Sequence, residues 1–361
     1  MKRIRVLVVD DSALMRKMIP QILNADHEIE VVGTAMDGTF ALKKIPELRP
    51  DVITLDIDMP KMDGIETLRS IMQHFAIPTI IISTLSQHDA DMTLKALGMG
   101  AFDFVTKPLD AISLHISDIG DDLIRKVKAA HDNPISRLKI KKNQSATGRN
   151  AKKAREEGKI PERVVAIGIS TGGPNALSYL LPQLPGNFPA GLLIVQHMPK
   201  GFTGMLADRL NAACRIEVKE ACEGDLVLAG RALVAPGDRH LRIKRMPLHT
   251  IAVLSSAAPV SGHRPSVDVL FRSVAEEYAG NATGLIMTGM GNDGALGLGE
   301  IKQMGGLTVA QDEDSCVVFG MPKAAVERHV VAKTVPLWHM AEFLINEFCV
   351  REEKYGTATC R

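Results

Sequence analysis

Short apolar runs alternate with helical patterns in the first third of the chain. Five runs have the length and β-branched character of strands: RVLVVD, EVVGTA, DVITLD, TIIIST and DFVTK. Between them, apolar residues recur at spacings of three and four, as in SALMRKMIPQILN and GIETLRSIMQHF. Runs without a polar face are typical of parallel strands that helices cover on both sides. We therefore expect a doubly wound α/β domain with five strands and five helices over residues 1–130.

A second alternation begins near residue 162, after a segment of different character. Residues 137–163 hold ten Lys or Arg against three Glu and few apolar residues. This composition favours a solvated linker, which we place at 131–161; a nucleic-acid patch is the alternative, although no DNA-reading motif flanks it. From VVAIGIS onward we expect a second doubly wound, parallel-sheet α/β domain over 162–350, followed by a tail at 351–361.

Composition restricts the class of protein. The chain has 361 residues, 45% hydrophobic and 24% charged, which fits two soluble globular domains. A net charge of +1 and only 4% aromatic residues argue against nucleic acid or an anionic membrane as the main partner. Apolar runs all fall well short of the roughly 20 residues that span a bilayer. Five scattered cysteines without a CxxC pair predict reduced thiols and a cytoplasmic protein.

Polar residues stand at four strand ends of the first domain. They are Asp10 and Asp11 after the first run, Asp56 after the third, Thr84 after the fourth and Lys107 after the fifth. The carboxyl ends of parallel strands share one edge of the sheet, where ligands bind. Three carboxylates gathered there repel one another unless a hard cation lies among them, and Mg²⁺ prefers such oxygen ligands. The sequence therefore predicts a magnesium site.

Helix capping is the alternative role for these aspartates, and Asp51 and Asp63 are expected to have local roles of that kind. Four strand ends that carry Asp-Asp, Asp, Thr and Lys in order are harder to explain by capping. With the stretches VVDDS, LDIDMPKMDG and FVTKP, this region resembles the receiver domains of bacterial response regulators.

The resemblance implies that Asp56 accepts a phosphoryl group from a histidine kinase. It implies that Mg²⁺ is held by Asp11, Asp56 and the backbone carbonyl of Asp58, with Asp10 assisting. Lys107 would pair with the phosphoryl oxygens, and Thr84 would move toward them as the switch. An aspartyl phosphate carries about two negative charges, which these groups can stabilise.

The second domain raises the question of whether Ser170, in AIGISTGGP, is a nucleophile or a small residue in a tight turn. Its Gly-x-Ser-x-Gly pattern matches the strand-to-helix turn that exposes a hydrolase serine. His197 follows the strand GLLIVQ, and Asp293 follows GLIM in a glycine-rich turn. Three strand ends can supply a nucleophile, a base and an orienting acid; helix capping is the alternative role for Asp293. The order Ser, His, Asp disfavours the α/β-hydrolase fold.

Six motifs then point to one family: GISTGGP, LLIVQHMP, LVAPGDRHL, GHRPSVDVLF, MTGMGNDGA and CVVFGMPKAA. They resemble the catalytic domain of the CheB family, the chemotaxis protein-glutamate methylesterases and glutaminases. The resemblance implies that Ser170 is the nucleophile, His197 the general base and Asp293 its orienting carboxylate.

Further roles follow from the same resemblance. The backbone amides of Thr171 and Met290 would contact the oxyanion, and His263 would bind substrate at the cleft without taking part in the chemistry. Gly172 and Gly173 would let the substrate approach the backbone.

The two resemblances together imply a phosphorylation-activated hydrolase that demethylates receptor glutamates and deamidates receptor glutamines. Its partners would be methyl-accepting chemotaxis receptors and a histidine kinase, with Mg²⁺ needed in the receiver and no cofactor needed for hydrolysis. Two alternatives stay open: the same esterase acting on a non-chemotaxis protein, and an output domain that only binds a partner.

Overall fold

A computed structural model describes residues 2–107, 116–132 and 159–350. Most of the predicted linker and all of the predicted tail lie outside these ranges. The chain divides into two compact units, Met1–Lys141 and Lys142–Arg361, and each is described by itself. In the part of the chain that is described, no helix combines the length and apolar character that crossing a membrane requires.

The N-terminal unit is one parallel sheet between two layers of helices. Its strands are β1 (Ile4–Val9), β2 (Ile29–Ala35), β3 (Val52–Asp56), β4 (Thr79–Ser83) and β5 (Asp103–Thr106). Its helices are α1 (Met15–Asn24), α2 (Gly38–Leu48), α3 (Gly64–His74), α4 (Gln87–Met99) and α5 (Ile116–Asp132). The strand order β2-β1-β3-β4-β5, with every pair parallel, confirms the predicted doubly wound fold.

Local chemistry sets the helix starts of this unit. Asp63 caps α3 by accepting a hydrogen bond from the Glu66 amide at 2.7 Å, as its predicted local role requires. Asp51 instead accepts the Arg5 amide at 2.9 Å, so it ties β3 to β1 rather than capping a helix. Helix α1 begins at Met15, three residues later than its apolar pattern suggests.

The C-terminal unit is a larger parallel sheet with an added hairpin. Its strands are β6 (Val164–Ile169), β7 (Gly191–Gln196), β8 (Glu217–Glu220), β9 (Arg231–Val234), β10 (His240–Arg245), β11 (Thr250–Ser255), β12 (Ala282–Ile286), β13 (Leu307–Gln311) and β14 (Lys333–Val335). Its helices are α6 (Gly173–Leu180), α7 (Phe202–Ala213), α8 (Val267–Tyr278), α9 (Ala295–Gln303), α10 (Met321–Glu327) and α11 (Leu337–Ile345). The sheet order is β14-β13-β12-β6-β7-β9-β8, while β10 and β11 form a separate antiparallel pair.

The centre of this sheet places the strand ends that matter. Strands β12, β6 and β7 are neighbours and are buried along their whole length. Their register pairs Gly168 with Ile286 and Ile169 with Gln196, so all three strands end at the same level. Helix α8 packs so closely on β6 that a Cβ at Gly168 would lie 2.2 Å from Val267. The carboxyl edge of the sheet therefore meets the N-terminus of α8.

Candidate active site

Ser170 is the first residue after β6 and lies at the carboxyl edge of the larger sheet. Its amide donates to the Thr288 carbonyl at 3.0 Å, which ties it to the extension of β12. Its carbonyl accepts from the Gly173 amide at 2.8 Å and from Gln196 Nε2 at 3.0 Å. Gly172 has a φ of 78° at the start of α6, a left-handed conformation that suits glycine. The turn thus fixes the backbone and leaves the half-buried serine side chain at the edge.

His197 is the first residue after the neighbouring strand β7. Its amide donates to the Ile169 carbonyl at 3.1 Å, so its backbone lies directly beside that of Ser170. Its Nε2 lies 2.8 Å from Asp293 Oδ2. An ionised carboxylate only accepts, so this contact puts the ring proton on Nε2. Nδ1 is buried and has no hydrogen-bond partner among the described residues, which leaves its lone pair available.

Asp293 is 1% exposed and fully supplied with donors. Besides His197, its oxygens accept from Ser266 Oγ at 2.8 Å, the Val267 amide at 2.7 Å and the Asp268 amide at 3.1 Å. Burial alone opposes ionisation of this carboxyl. The bonds from His197, Val267 and Ser266, with the positive charge that His197 can carry, outweigh burial and lower the pKa of Asp293 to about 2.

The remaining predicted cleft residues lie around this pair. The His263 ring stacks on the His197 ring with centroids 3.8 Å apart and planes 8° from parallel. Thr171 is buried, and its carbonyl accepts from Thr288 Oγ1 at 2.9 Å. Met290 is half-buried on the turn after β12. The preceding residue, Gly289, lies so close that a Cβ there would be 2.8 Å from Ser170 Cβ, and Gly173 has no room for a side chain beside Gln196.

Four supporting residues of this site escaped sequence reasoning: Gln196, Ser266, Asp268 and Thr288. Gln196 Nε2 contacts the carbonyls of both Ser170 and His197, at 3.0 and 3.1 Å. Thr288 Oγ1 also accepts the amides of Val317 and Val318. The sequence signal for these four residues is their position inside the family motifs, next to the glycines and histidines to which roles were assigned.

The smaller sheet brings its predicted charged residues together at its own carboxyl edge. Lys107 Nζ lies 2.6 Å from Asp56 Oδ2 and 3.2 Å from Asp10 Oδ2. Asp10, Asp11 and Asp56 each offer an oxygen within 4.8 Å of the others, and Asp11 is exposed to solvent. This is the only group of three or more metal-ligating side chains among the described residues.

The charges of these buried carboxylates are only partly offset by the Lys107 ammonium. Burial raises the pKa of Asp56 to about 6, although the Lys107 ammonium opposes the shift, and the charges of Asp10 and Asp11 add to it. Burial also raises the pKa of Asp10, whose buried Oδ2 atom has only the Lys107 ammonium beside it among the described residues, at 3.2 Å. Burial alone would lower the pKa of Lys107, but the two carboxylates beside it raise it overall. Three carboxylates that share a single ammonium, in a cluster whose ligand atoms are all oxygen, fit a hard divalent cation such as Mg²⁺.

Two predicted residues lie beside this cluster. Thr84 Oγ1 donates to Asp89 Oδ2 in the first turn of α4, so its hydroxyl already has a partner. Asp58 lies two residues beyond β3, and it is exposed. Its side chain is not part of the acidic group; the prediction concerned its backbone carbonyl.

Known proteins match both units. The family described as CheB methylesterase matches residues 165–344, and the response regulator receiver domain matches residues 6–117. A protein-glutamate methylesterase/protein-glutamine glutaminase from Koribacter versatilis is 56% identical, with 92% of this chain and 93% of that protein covered. The chain belongs to the CheB family.

Other members support the same assignment. The Pyrococcus horikoshii protein of that name is 44% identical, and the match covers 96% of this chain and 94% of that protein. The crystal structure of the CheB methylesterase catalytic domain from Thermotoga maritima aligns with a TM-score of 0.51 and 41% identity, over 51% of this chain and 98% of that domain. The predicted family and fold class are therefore confirmed.

Proposed function

We propose that this chain is a phosphorylation-activated serine hydrolase that removes methyl groups from glutamate methyl esters and deamidates glutamines on methyl-accepting chemotaxis receptors. The observation that carries the proposal is the His197–Asp293 pair at the sheet edge where Ser170 lies. The CheB-family relatives bear the name protein-glutamate methylesterase/protein-glutamine glutaminase, which supports these substrates for this chain.

The hydrolysis begins with proton transfer from Ser170 Oγ to His197 Nδ1, the ring nitrogen without a partner. Oγ attacks the acyl carbon, and the tetrahedral intermediate collapses as the imidazolium returns the proton to departing methanol or ammonia. His197 then takes a proton from water, whose oxygen attacks the glutamyl ester formed on Ser170; the bond from Oγ to the acyl carbon breaks, the imidazolium returns the proton to Oγ, and the glutamate carboxylate leaves. Asp293, whose pKa of about 2 keeps it ionised, holds the Nε2 proton and stabilises the imidazolium.

Backbone amides supply the charge stabilisation in this proposal. The amides of Thr171 and Met290 donate to the oxyanion, and each such donor typically contributes about 3 kcal/mol. Gly172 and Gly173 let the turn pack closely at the cleft, since a Cβ at these positions would collide with Val317 and Gln196. His263, stacked on the base, contacts the substrate and shields one face of the His197 ring.

In the receiver, Asp56 accepts the phosphoryl group from a histidine kinase. Asp11, Asp56 and the backbone carbonyl of Asp58 would hold Mg²⁺, with Asp10 assisting. A bound Mg²⁺ supplies positive charge that offsets the carboxylates and the phosphoryl oxygens. Lys107 pairs with those oxygens, and Thr84 exchanges its bond to Asp89 for one to the phosphoryl group.

The domain limits stay as the sequence suggests: a receiver at 1–130, a linker at 131–161, a catalytic domain at 162–350 and a tail at 351–361. The protein works in the cytoplasm, where receptor tails and the kinase are accessible. No nucleic acid takes part, and hydrolysis needs no cofactor.

The decisive experiment measures methanol release from methylated receptor membranes, with and without a small phosphodonor and Mg²⁺. We expect the phosphodonor to raise release roughly tenfold, which corresponds to about 1.4 kcal/mol between two states. Asp56→Asn should abolish the stimulation, and Asp51→Asn, a matched change at the other end of β3, should not. No methanol from any preparation would favour a different substrate or an output domain that only binds.

A further inference from the structure

Asp268, in the first turn of α8, is a buried carboxyl that caps a different helix. It is 2% exposed, and its Oδ1 accepts the Gly297 amide at 2.8 Å. It also accepts a hydrogen bond from the amide of Gly294. Gly294 is the N-cap of α9, and Gly297 is in its first turn, so Asp268 satisfies amides that α9 leaves unpaired.

Asp293 makes the converse contact. It stands one residue before the N-cap of α9 and accepts the amides of Val267 and Asp268, which open α8. The N-terminal region of each helix therefore supplies a carboxylate that caps the other helix: Asp268 caps α9, and Asp293 caps α8. The two caps link the helices N-terminus to N-terminus, and the catalytic Asp293 lies within the link.

Tight packing makes this link unyielding. A Cβ at Gly297 would lie 2.7 Å from Phe271 Cβ and 2.9 Å from the Asp268 carbonyl. The first turn of α9 cannot move toward α8, and the Asp268 bonds resist movement away from it. Because Asp293 directly precedes that turn, the place of its backbone depends on Asp268.

We propose that Asp268 is a positioning residue for the hydrolysis, and that it acts by holding Asp293 within hydrogen-bond distance of His197. This inference rests on the proposed function, in which Asp293 orients His197. Within the described part of the chain, Asp268 makes no hydrogen bond to His197 or Ser170. Its partners are the amides at the start of α9 and Asp293 itself.

The pKa shifts of the two carboxyls differ in direction, which agrees with a catalytic role for Asp293 and a positioning role for Asp268. Asp293 collects the strong donors, whereas burial and the neighbouring Asp293 charge raise the pKa of Asp268. An asparagine at residue 268 keeps an oxygen for the Gly297 amide, and its amide group can face the Asp293 carboxylate.

Kinetics of three variants test the proposal. In Asp268→Ala we expect kcat per folded molecule for methanol release to fall about 10- to 100-fold with KM nearly unchanged, because small misplacements of catalytic groups have effects of this size. Asp268→Asn should stay within about threefold of the wild type. Thr308→Ala is the matched control: Thr308 is equally buried and bonded to Val330 and Ala332, but lies near the amino end of β13, so its loss should leave kcat unchanged.

A double-mutant cycle shows whether Asp268 acts through Asp293. In an Asp293→Asn background, Asp268→Ala should cost less than threefold, since the carboxylate that it positions is already lost. An equal cost in both backgrounds, or full kcat in Asp268→Ala itself, would overturn the proposal.

Nuclear magnetic resonance of ¹⁵N-histidine-labelled full chain gives a readout that needs no substrate. The His197 Nε2–H signal reports the bond to Asp293, and it should shift in Asp268→Ala and return in Asp268→Asn. An unchanged signal in Asp268→Ala sinks this inference whatever the activity. If the signal shifts in Asp268→Ala but the wild-type chain itself releases no methanol, the result counts against the proposed function alone.

Discussion

The two sheets each bury an aspartate close to the carboxyl ends of their central strands, yet the two carboxyls behave in opposite ways. Asp56 is 3% exposed, and its pKa is raised to about 6. Asp293 is 1% exposed, and its pKa is lowered to about 2. Burial is nearly equal, so burial does not decide the outcome.

Hydrogen-bond donors decide it. Asp293 receives a hydroxyl, two amides at a helix N-terminus and an imidazole N–H. Among the described residues, Asp56 has one ammonium partner, Lys107, which it shares with Asp10, and the charges of Asp10 and Asp11 repel it. A carboxylate with its own donors is a stable anion, whereas one without them needs a cation or a reaction to satisfy it.

This difference matches the two roles proposed for these groups. A carboxylate that must orient a base through each turnover benefits from permanent charge and fixed geometry. A carboxylate that must take up and release a phosphoryl group benefits from oxygens that are not already committed. Three tests, which differ in the size of their expected effect, separate these roles.

The largest effect is expected for Ser170→Ala, which removes one oxygen from the catalytic unit. Hydrolysis should fall by about 10⁴-fold or more, because no other group takes over as nucleophile. Methanol release and the thermal unfolding midpoint should be measured on the same preparation. A folded variant with wild-type turnover would mean that the Asp293–His197 pair serves something other than this serine.

A smaller loss is expected for Asp293→Asn, on the order of 10²- to 10⁴-fold in kcat, since the nucleophile remains while orientation and charge are lost. The asparagine can still accept from Val267 and Asp268, so the cap on α8 is partly kept. Residual rates compared with those of Ser170→Ala provide the check. A loss as complete as that of Ser170→Ala would indicate that the fold around α8 depends on this carboxylate.

The sequence predicted the strand ends well. Apolar runs bounded by Asp, Thr, Lys, Ser and His place those residues at sheet edges because parallel strands share direction. The five-stranded receiver fold followed from the same alternation and is confirmed. Strand order in the larger sheet and the hairpin β10–β11 did not follow, since several orders suit the same runs of buried residues.

The supports of the catalytic unit were missed for a physical reason. Ser266 and Asp268 open the helical pattern VDVLFRSVAEEY, where they look like ordinary caps of their own helix. In the structure, Ser266 makes no side-chain cap on α8. The Ser266 side chain contacts a residue 27 positions later in the chain, and that of Asp268 one 29 positions later. Capping between helices depends on tertiary packing, which local patterns do not encode.

The smallest effect concerns pH and Mg²⁺ in the receiver. The folded-state pKa of Asp56, about 6, lies above its ordinary 3.8, so between these values the folded chain binds more protons than the unfolded chain. Its contribution to stability is full below pH 3.8 and is lost as pH rises through about 6. Mg²⁺ favours the ionised carboxylate, so it should lower this pKa and restore stability where the loss is greatest.

We therefore expect Mg²⁺ to raise the unfolding midpoint of the receiver by a few degrees at pH 7.5 and by much less at pH 4.5, measured on the full chain by scanning calorimetry. In Asp56→Asn the side chain at this position cannot titrate. Without Mg²⁺ at pH 7.5, the receiver of this variant should therefore unfold at a higher temperature than that of the wild type, and its unfolding midpoint should lose most of its pH dependence. Asp10, whose pKa is raised by burial, supplies the remaining pH dependence with the same sign.

The pH dependence of the stability contributed by Asp293 has the opposite sign, because its folded-state pKa lies below 3.8 and its contribution is lost as pH falls toward 2. If Asp56→Asn instead kept the full pH dependence of the receiver transition, the contrast between the two carboxylates would rest on other groups.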